Sequence, residues 1–596
     1  MAQSEGKAVI NNFIGGLITD YQELNTPQNV TVDEDNCDLD RKGSRKRRLG
    51  IDYETGYEFA STTVETTTLQ DQYLKTYKWS AINNNGALKF LVVQVGATLS
   101  FFDLANDAIS PNEKSFTIDL DDHKIGTVST VASYPVQVTS GKGVLFVVGQ
   151  YITPFFVEYD EASDDITVTE IDIKIRDLAQ QENDASLIES RPTVLTDDRK
   201  YDLFNQGWST MVAGNDSVRY GETVTTTMNA LDYYFFATDH YPPKSKPWWV
   251  GKRSPIDPGE GGFELFDPNG VYDRVDAGNT LGALGHYILD PFNKDRSTAS
   301  GIPGFEVEVD NTRPTAVAFY SGRVFYGHKN NIYFSQLLYD DLLNSGKCYQ
   351  SADPTAESIN ELIATDGGVI LLPESSTIVR LLTVDNFLLV FCENGIWSLS
   401  GVSPGDGFSA TGHGVGRVTS VGVQSDRSIV TVEGKPIWWN DEGIFALVSE
   451  PNKQGLAVQN ILDKKIQVFY NAIPAISKVY ASGAYDKTNK IVTWIFNSTD
   501  EVLHNSKYAC NRSINFDVIL GAFFPYTISD LEEETPFVVD VFSASDTIRT
   551  SSTELVTNGG VTVTDSGIDV YISVESFINS TEGSGVKFLT FASVSI

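Results

Sequence analysis

The chain is poor in the residues on which site chemistry is usually built. Its four cysteines, Cys37, Cys348, Cys392 and Cys510, are scattered over 596 residues. No two form a C-x-x-C pair, which argues against a zinc site and predicts four free thiols. The six histidines, His123, His240, His286, His328, His413 and His504, are equally dispersed. None lies within ligand spacing of another and no H-E-x-x-H occurs, so each reads as a turn or packing residue. No apolar run approaches the ~20 residues of a membrane span, and the first residues carry no apolar signal core. The expectation is a chain with no membrane span that folds in a reducing cytosol.

Positive charge is the other shortage. Lys and Arg number 44 against 79 Asp and Glu, a net charge of −35. Such a surface does not hold nucleic acid through a broad basic face, although DNA that passes without being gripped is compatible with it. So many carboxylates guarantee chance pairs, and none is singled out for glycoside hydrolysis. Asp33 to Asp40 alternates acids but has no glycine at the sixth position and no closing glutamate, so it is not an EF-hand loop. Gly412 to Arg417 lacks the Lys-Ser/Thr of a P-loop and the spacing of a dinucleotide site, and reads as a flexible connector.

Long helical runs of Ala, Glu, Lys and Leu are missing too. In their place stand Val, Ile, Thr, Phe and Tyr between turn residues, with 33 Phe, 26 Tyr and 8 Trp, a β signature. Leu88 to Val95 and Leu99 to Leu104 flank a turn at Gly96. Val144 to Val148 is separated from Phe155 to Tyr159 by a break at Pro154. Ile166 to Ile175 alternates apolar and polar residues, which predicts one half-buried strand. A repeat emerges further on: Asn394-Gly-Ile-Trp-Ser-Leu399 matches Glu442-Gly-Ile-Phe-Ala-Leu447, each after an apolar strand and a polar turn. A looser copy begins at Asn331. A period of roughly 40–50 residues built of short strands marks a β-propeller blade, with a β-sandwich as the alternative.

These patterns predict a mainly β protein with a propeller body in two parts, residues 56–200 and 311–525. Residues 1–55 form an extended N-terminal docking arm. Residues 201–310 are a loop-rich insertion, and 526–596 a C-terminal β segment that is either a separate module or the last blade closing the ring. The tryptophans read mostly as core. Trp248 and Trp249, beside Pro247, Lys252 and Arg253, read either as core or as an exposed contact patch. The basic run Arg41, Lys42, Arg45, Lys46, Arg47 and Arg48 sits in the arm of an otherwise acidic chain, as a focal patch for an acidic partner or as a solvated turn.

Phe13 to Tyr53 also resembles the start of the tail nozzle (tail tubular) proteins of short-tailed bacteriophages: Gly15-Gly16, an Asn before an acidic stretch, and an Arg-Arg-Leu-Gly close. The resemblance continues through Asn205-Gln206-Gly207-Trp208, Tyr241-Pro242 with Trp248-Trp249, and Gly285 to Leu289. Its most specific match is Arg313-Pro314-Thr315-Ala316-Val317-Ala318-Phe319 with Gly322-Arg323-Val324. Gly395-Ile396-Trp397, Trp438-Trp439, Gly443-Ile444, Tyr485-Asp486, Trp494 and Phe523 to Pro525 complete it. It implies a structural virion protein with no catalytic residues and no cofactor or metal. The implied state is a homo-hexameric ring in the virion tail, assembled in the host cytoplasm. The ring sits below the portal and its adaptor ring, near tail fibres or spikes. It retains packaged DNA and conducts it without sequence-specific binding. Residues 526–596 carry no motif of the family. The alternatives are a host-surface glycan-binding tail spike and, more weakly, a secreted propeller hydrolase.

Overall fold

The computed structural model describes residues 12–21, 27, 29–48, 74–103, 113–176, 288–295, 307–339, 341–350, 362–402, 407–449, 456–503, 507–528, 538–544 and 547–552, with strand segments at 218–219, 249–250, 263–266, 272–275 and 572–573. The protein is mainly β, and six four-stranded antiparallel sheets form the blades of a propeller. Blade 1 is Leu74–Ser80, Lys89–Val95, Thr98–Asp103 and Glu113–Asp119. Blade 2 is Val136–Gly141, Val144–Gly149, Ile152–Asp160 and Asp165–Glu170. Blade 3 is Ala316–Tyr320, Arg323–His328, Asn331–Phe334 and Gly368–Leu371. Blade 4 is Ile378–Val384, Phe387–Cys392, Gly395–Ser400 and Gly414–Thr419. Blade 5 is Val430–Val432, Lys435–Asn440, Gly443–Ser449 and Leu456–Asn460, and blade 6 is Ser482–Asp486, Ile491–Phe496, Arg512–Asp517 and Ala522–Thr527. The β-sandwich alternative is therefore set aside.

Alternation along each strand explains the packing. Successive side chains point to opposite faces of a blade, so each blade feeds two apolar layers. In blade 5, Trp438 enters the layer shared with blade 4, beside Phe391 and Phe445. Trp439, one residue later, enters the layer shared with blade 6, beside Tyr470, Trp494 and Phe496. Blade 4 repeats the pattern: Trp397 and Leu399 face blade 3 while Ile396 faces blade 5. Both halves of the repeat read from sequence are thus third strands of consecutive blades, opened by Gly395 and Gly443.

Local chemistry sets the turns. The first turn of blades 2, 3 and 5 is a two-residue X-Gly loop, Lys142-Gly143, Ser321-Gly322 and Glu433-Gly434, with positive φ at both residues. That is the geometry whose twist matches a hairpin.

Three expectations need correction. Ile166 to Ile175 is two segments, Asp165–Glu170 and Lys174–Arg176. Ile166 and Val168 pack toward blade 1, whereas Ile171, Ile173 and Ile175 enter the layer toward blade 3. The apolar phase shifts by one residue at the join, where Ile171 N–H donates to Pro154 O. Pro154 does not break its strand: it sits in a bulge between Ile152 and Phe155, where a missing N–H is tolerated. Gly412 to Arg417 is not a connector, because Gly414–Thr419 is the outer strand of blade 4, with Arg417 stacked 5.2 Å over Trp397.

The stretch between blades 2 and 3 holds a further small sheet, Val218–Arg219, Trp249–Val250, Phe263–Phe266 and Tyr272–Val275. After blade 6, the hairpin Val538–Ala544 and Thr547–Ser552 lies between the first strands of blades 6 and 1. All four cysteines are free and buried; burial pushes Cys37, Cys392 and Cys510 up to about 12. Among the described residues, no helix is long and apolar enough to cross a membrane.

Candidate interaction surface: the N-terminal arm

An outer blade strand leaves one row of backbone groups without a partner strand. On blade 6 the arm covers that row. Leu17 N–H donates to Phe523 O at 2.8 Å, Asn36 N–H to Pro525 O at 3.1 Å, and the Arg48 Nη2 to Thr527 O at 2.7 Å. The acceptors are two residues apart, as expected of the outward-facing carbonyls of one strand edge. Pro525 fits there, since its missing N–H points away from the sheet. Thr527 N–H is taken by Asn36 Oδ1 at 3.1 Å.

The approach is close enough to select the residues of the Gly-Gly opening. Gly16 has φ +70, and a Cβ there would stand 2.6 Å from Phe523 O; one on Gly15 would stand 2.4 Å from Val30 Cγ1. Leu17 joins the layer between blades 5 and 6, and Leu39 packs on Ala522 and Phe524. Thr19 and Asp20 N–H groups reach Lys465 O. Near the other end of the chain, Ile572–Ser573 pairs with Asp33–Glu34 of the arm.

Within the arm, Cys37–Leu39 and Arg45–Arg47 form a hairpin that divides the basic run by face. Arg45 turns inward and forks onto Glu34, Nε to Oε2 at 2.8 Å and Nη2 to Oε1 at 2.9 Å, with both side chains buried. Burial pushes the Glu34 carboxyl up to about 7 against the pull of Arg45. Arg48 is buried as well: its Nε donates to Asn36 Oδ1 at 2.7 Å and its guanidinium lies 5.5 Å over the Tyr526 ring. Arg41 pairs with Asp517 at 3.4 Å and donates to Asn489 O. Lys42 is exposed, and Lys46, 68% exposed, stands 3.5 Å from Asp40. Arg47 pairs in register with Cys37, and its side chain lies outside the described residues.

The Arg41 contact brings the hairpin tip against the first turn of blade 6, which carries the exposed Lys487 and the half-buried Lys490, the latter paired with Glu433 at 2.9 Å. The cationic corner therefore has two sources more than 400 residues apart, and the sequence reading found only one. Lys487 and Lys490 lie in Asp486-Lys-Thr-Asn-Lys490, whose two lysines were the available signal.

The other described motif residues pack within the propeller. Arg313 stacks 5.0 Å over Phe292 and its N–H donates to Gln150 O, joining the start of blade 3 to the turn between the second and third strands of blade 2; Pro314 is buried. Arg323 is almost fully buried, donating to Ala364 O and, at 3.2 Å, to Asp366 O, and lying 5.6 Å over Phe408. Asn205, Gln206, Gly207, Trp208 and Trp248 lie outside the described residues. Trp249 pairs in register with Arg219 and Phe266, and its side chain is not among those described. Among the described residues, no group of three His, Cys, Asp or Glu is placed to hold a metal ion.

No protein-family model and no curated protein matches the sequence. Among solved structures, the chain is similar to apo AztD from Citrobacter koseri at 9% identity, with 77% of this chain and 86% of that one covered and a TM-score of 0.28. It is similar to the Cps50 (Swd1) β-propeller domain of Myceliophteria thermophila at 9% identity, covering 71% and 96%, with a TM-score of 0.27. Sqt1 of Saccharomyces cerevisiae gives 12% identity, 61% and 82% coverage, and a TM-score of 0.21.

Proposed function

We propose that the chain is a non-enzymatic structural subunit of a short-tailed phage tail nozzle. It would assemble as a hexameric ring in the virion tail, continue the portal and adaptor channel, retain packaged DNA and conduct it during ejection. The carrying observation is the arm. Its hairpin is fixed to blade 6 by Arg41 and Arg48 and braced within the arm by the Arg45–Glu34 pair, and it presents the exposed Lys42 and Lys46 on a chain of net charge −35. A rigid hairpin tip carrying exposed lysines on an acidic body suits docking to an acidic ring above, because little side-chain and backbone ordering is left to be done on binding. The acidic remainder suits a conduit, since phosphates that are repelled do not stick. The order of motifs from Gly15 to Pro525 supports the same reading.

The test is co-assembly. Purified protein mixed with its adaptor ring and imaged by negative stain is expected to show a six-fold ring capping the adaptor. Lys42→Glu/Lys46→Glu should abolish capping while leaving the circular dichroism spectrum unchanged and the melting temperature nearly so. Monomers or trimers that bind polysaccharide, with no cap on the adaptor, would reject the nozzle in favour of a glycan-binding spike.

A further inference from the structure

One carboxylate joins three parts of the propeller. Asp540, in the hairpin that follows blade 6, is 0% exposed. Its Oδ2 accepts from Thr76 N–H at 3.0 Å and Thr76 Oγ1 at 2.7 Å, and its Oδ1 from Lys75 Nζ and Ser482 Oγ, both at 2.9 Å. Arg427 Nη2 stands 3.5 Å from the same Oδ1. Lys75 and Thr76 belong to the first strand of blade 1, and Ser482 opens the first strand of blade 6. Arg427 lies in a single 3-10 turn just before blade 5. Every group aimed at Asp540 is a donor, and two are cations. Without the carboxylate, the buried Lys75 would lose the anion it touches, which is costly.

The other joints between consecutive blades are apolar layers, such as the Trp439 layer between blades 5 and 6. At this seam, blade 6 contributes Ala484, Ile495 and Cys510, with Ile528 against them. The strand Val538–Ala544 then stands between the first strands of blades 6 and 1. The hairpin reaches it only after blade 6 is complete, through residues 529–537.

We propose that the seam between blades 1 and 6 is a strand-acceptor slot, selective for an extended segment that brings one inward carboxylate. The chain's own hairpin 538–552 is its resident ligand, and the propeller ring opens and shuts there. An apolar strand of the same shape would take from Lys75 and Arg427 the buried carboxylate they share, so the slot discriminates by charge as well as by shape.

The test uses the full chain with a specific protease site placed within residues 531–536. After cleavage, the C-terminal fragment of the otherwise unaltered chain should remain bound through gel filtration. In the Asp540→Asn variant it should leave at least tenfold faster. Amide exchange should rise over 74–80 and 482–486 while blade 4 (387–400) is unchanged. A synthetic peptide covering 536–554 should restore protection to the emptied protein, and the same peptide with Asn at 540 should not. If Asp540→Asn fails to fold, Ser482→Ala keeps the charges matched and should speed release about fivefold, as for the one hydrogen bond lost to the hairpin, the other being to Lys75 of blade 1. Passage of a tagged hairpin from one copy into the slot of another would support the slot. Equal release from cut wild-type and variant protein would overturn the proposal, as would exchange that rises alike in all six blades. Neither result bears on adaptor capping, so the two readings fail separately.

Discussion

Replacing Arg48 with alanine separates two roles that the basic run had seemed to combine. The side chain makes two short hydrogen bonds, 2.7 Å to Asn36 Oδ1 and 2.7 Å to Thr527 O, and lies over Tyr526. Hydrogen bonds from a charged donor contribute about 1.5–3 kcal/mol each, and a cation–π contact adds about 0.5–1. Water reaching the vacated site restores part of this, so a loss of about 3 kcal/mol from the seating of the arm is expected. At 1.4 kcal/mol per factor of ten, the arm should open roughly a hundredfold more often. Hydrogen exchange reads this directly at Leu17, Thr31 and Asn36, whose N–H groups donate to Phe523 O, Gly16 O and Pro525 O. Exchange in blade 4 should not change. Lys42→Ala/Lys46→Ala removes only an exposed residue and a weak surface pair, worth about 0–1 kcal/mol, so arm exchange should change less than about fivefold. Adaptor capping should nevertheless be impaired. The reasoning fails if the double lysine variant frees the arm as Arg48→Ala does, or if Arg48→Ala leaves arm exchange untouched.

Two further variants test the body of the propeller. Trp439→Ala empties the centre of the layer between blades 5 and 6 and should cost about 3–5 kcal/mol. Exchange should rise first in Ser482–Asp486 and Lys435–Asn440, and a uniform rise in every blade would contradict layer-by-layer packing. His328 is buried beside Asp310, Lys329 and Arg313, and burial holds it down at about 4 against an ordinary value of 6.5. Its folded value is depressed, so its share of stability is fully present above pH 6.5. That share is lost as pH falls toward 4, by at most about 3 kcal/mol. Melting curves should therefore steepen with acid between pH 6.5 and 4 in the native chain and less so in His328→Gln; parallel profiles would reject the assignment.

What the sequence made legible was whatever it writes locally. The 48-residue offset between Asn394 and Glu442 is a blade period, because each blade is one contiguous run of four short strands. The adjacent Trp438 and Trp439 announced core, and strand alternation sends them to different layers. The number of blades was not legible, since the diverged copies share only the turn and aromatic positions of their third strands. The Ile166 to Ile175 run misled for a related reason: a shift of apolar phase by one residue leaves the count of alternating residues nearly intact and changes the blade face entirely.

The basic run failed as a single reading because its partners are remote. Arg41 meets Asp517 and Arg48 meets Thr527, separated by 476 and 479 residues. Charge density along a chain says how many cations are near one another, not which are already engaged, and a β-hairpin divides such a run by face. The same logic applies in reverse to Asp540. In Phe537-Val-Val-Asp-Val-Phe542, a lone carboxylate on an apolar strand was a visible anomaly. A buried acid requires a donor set, and that set, Lys75, Thr76, Arg427 and Ser482, had to come from elsewhere in the chain. An unexplained charge within an apolar strand is therefore a stronger pointer to a long-range joint than a run of charges in a loop, because only the buried charge carries a cost when it has no partner.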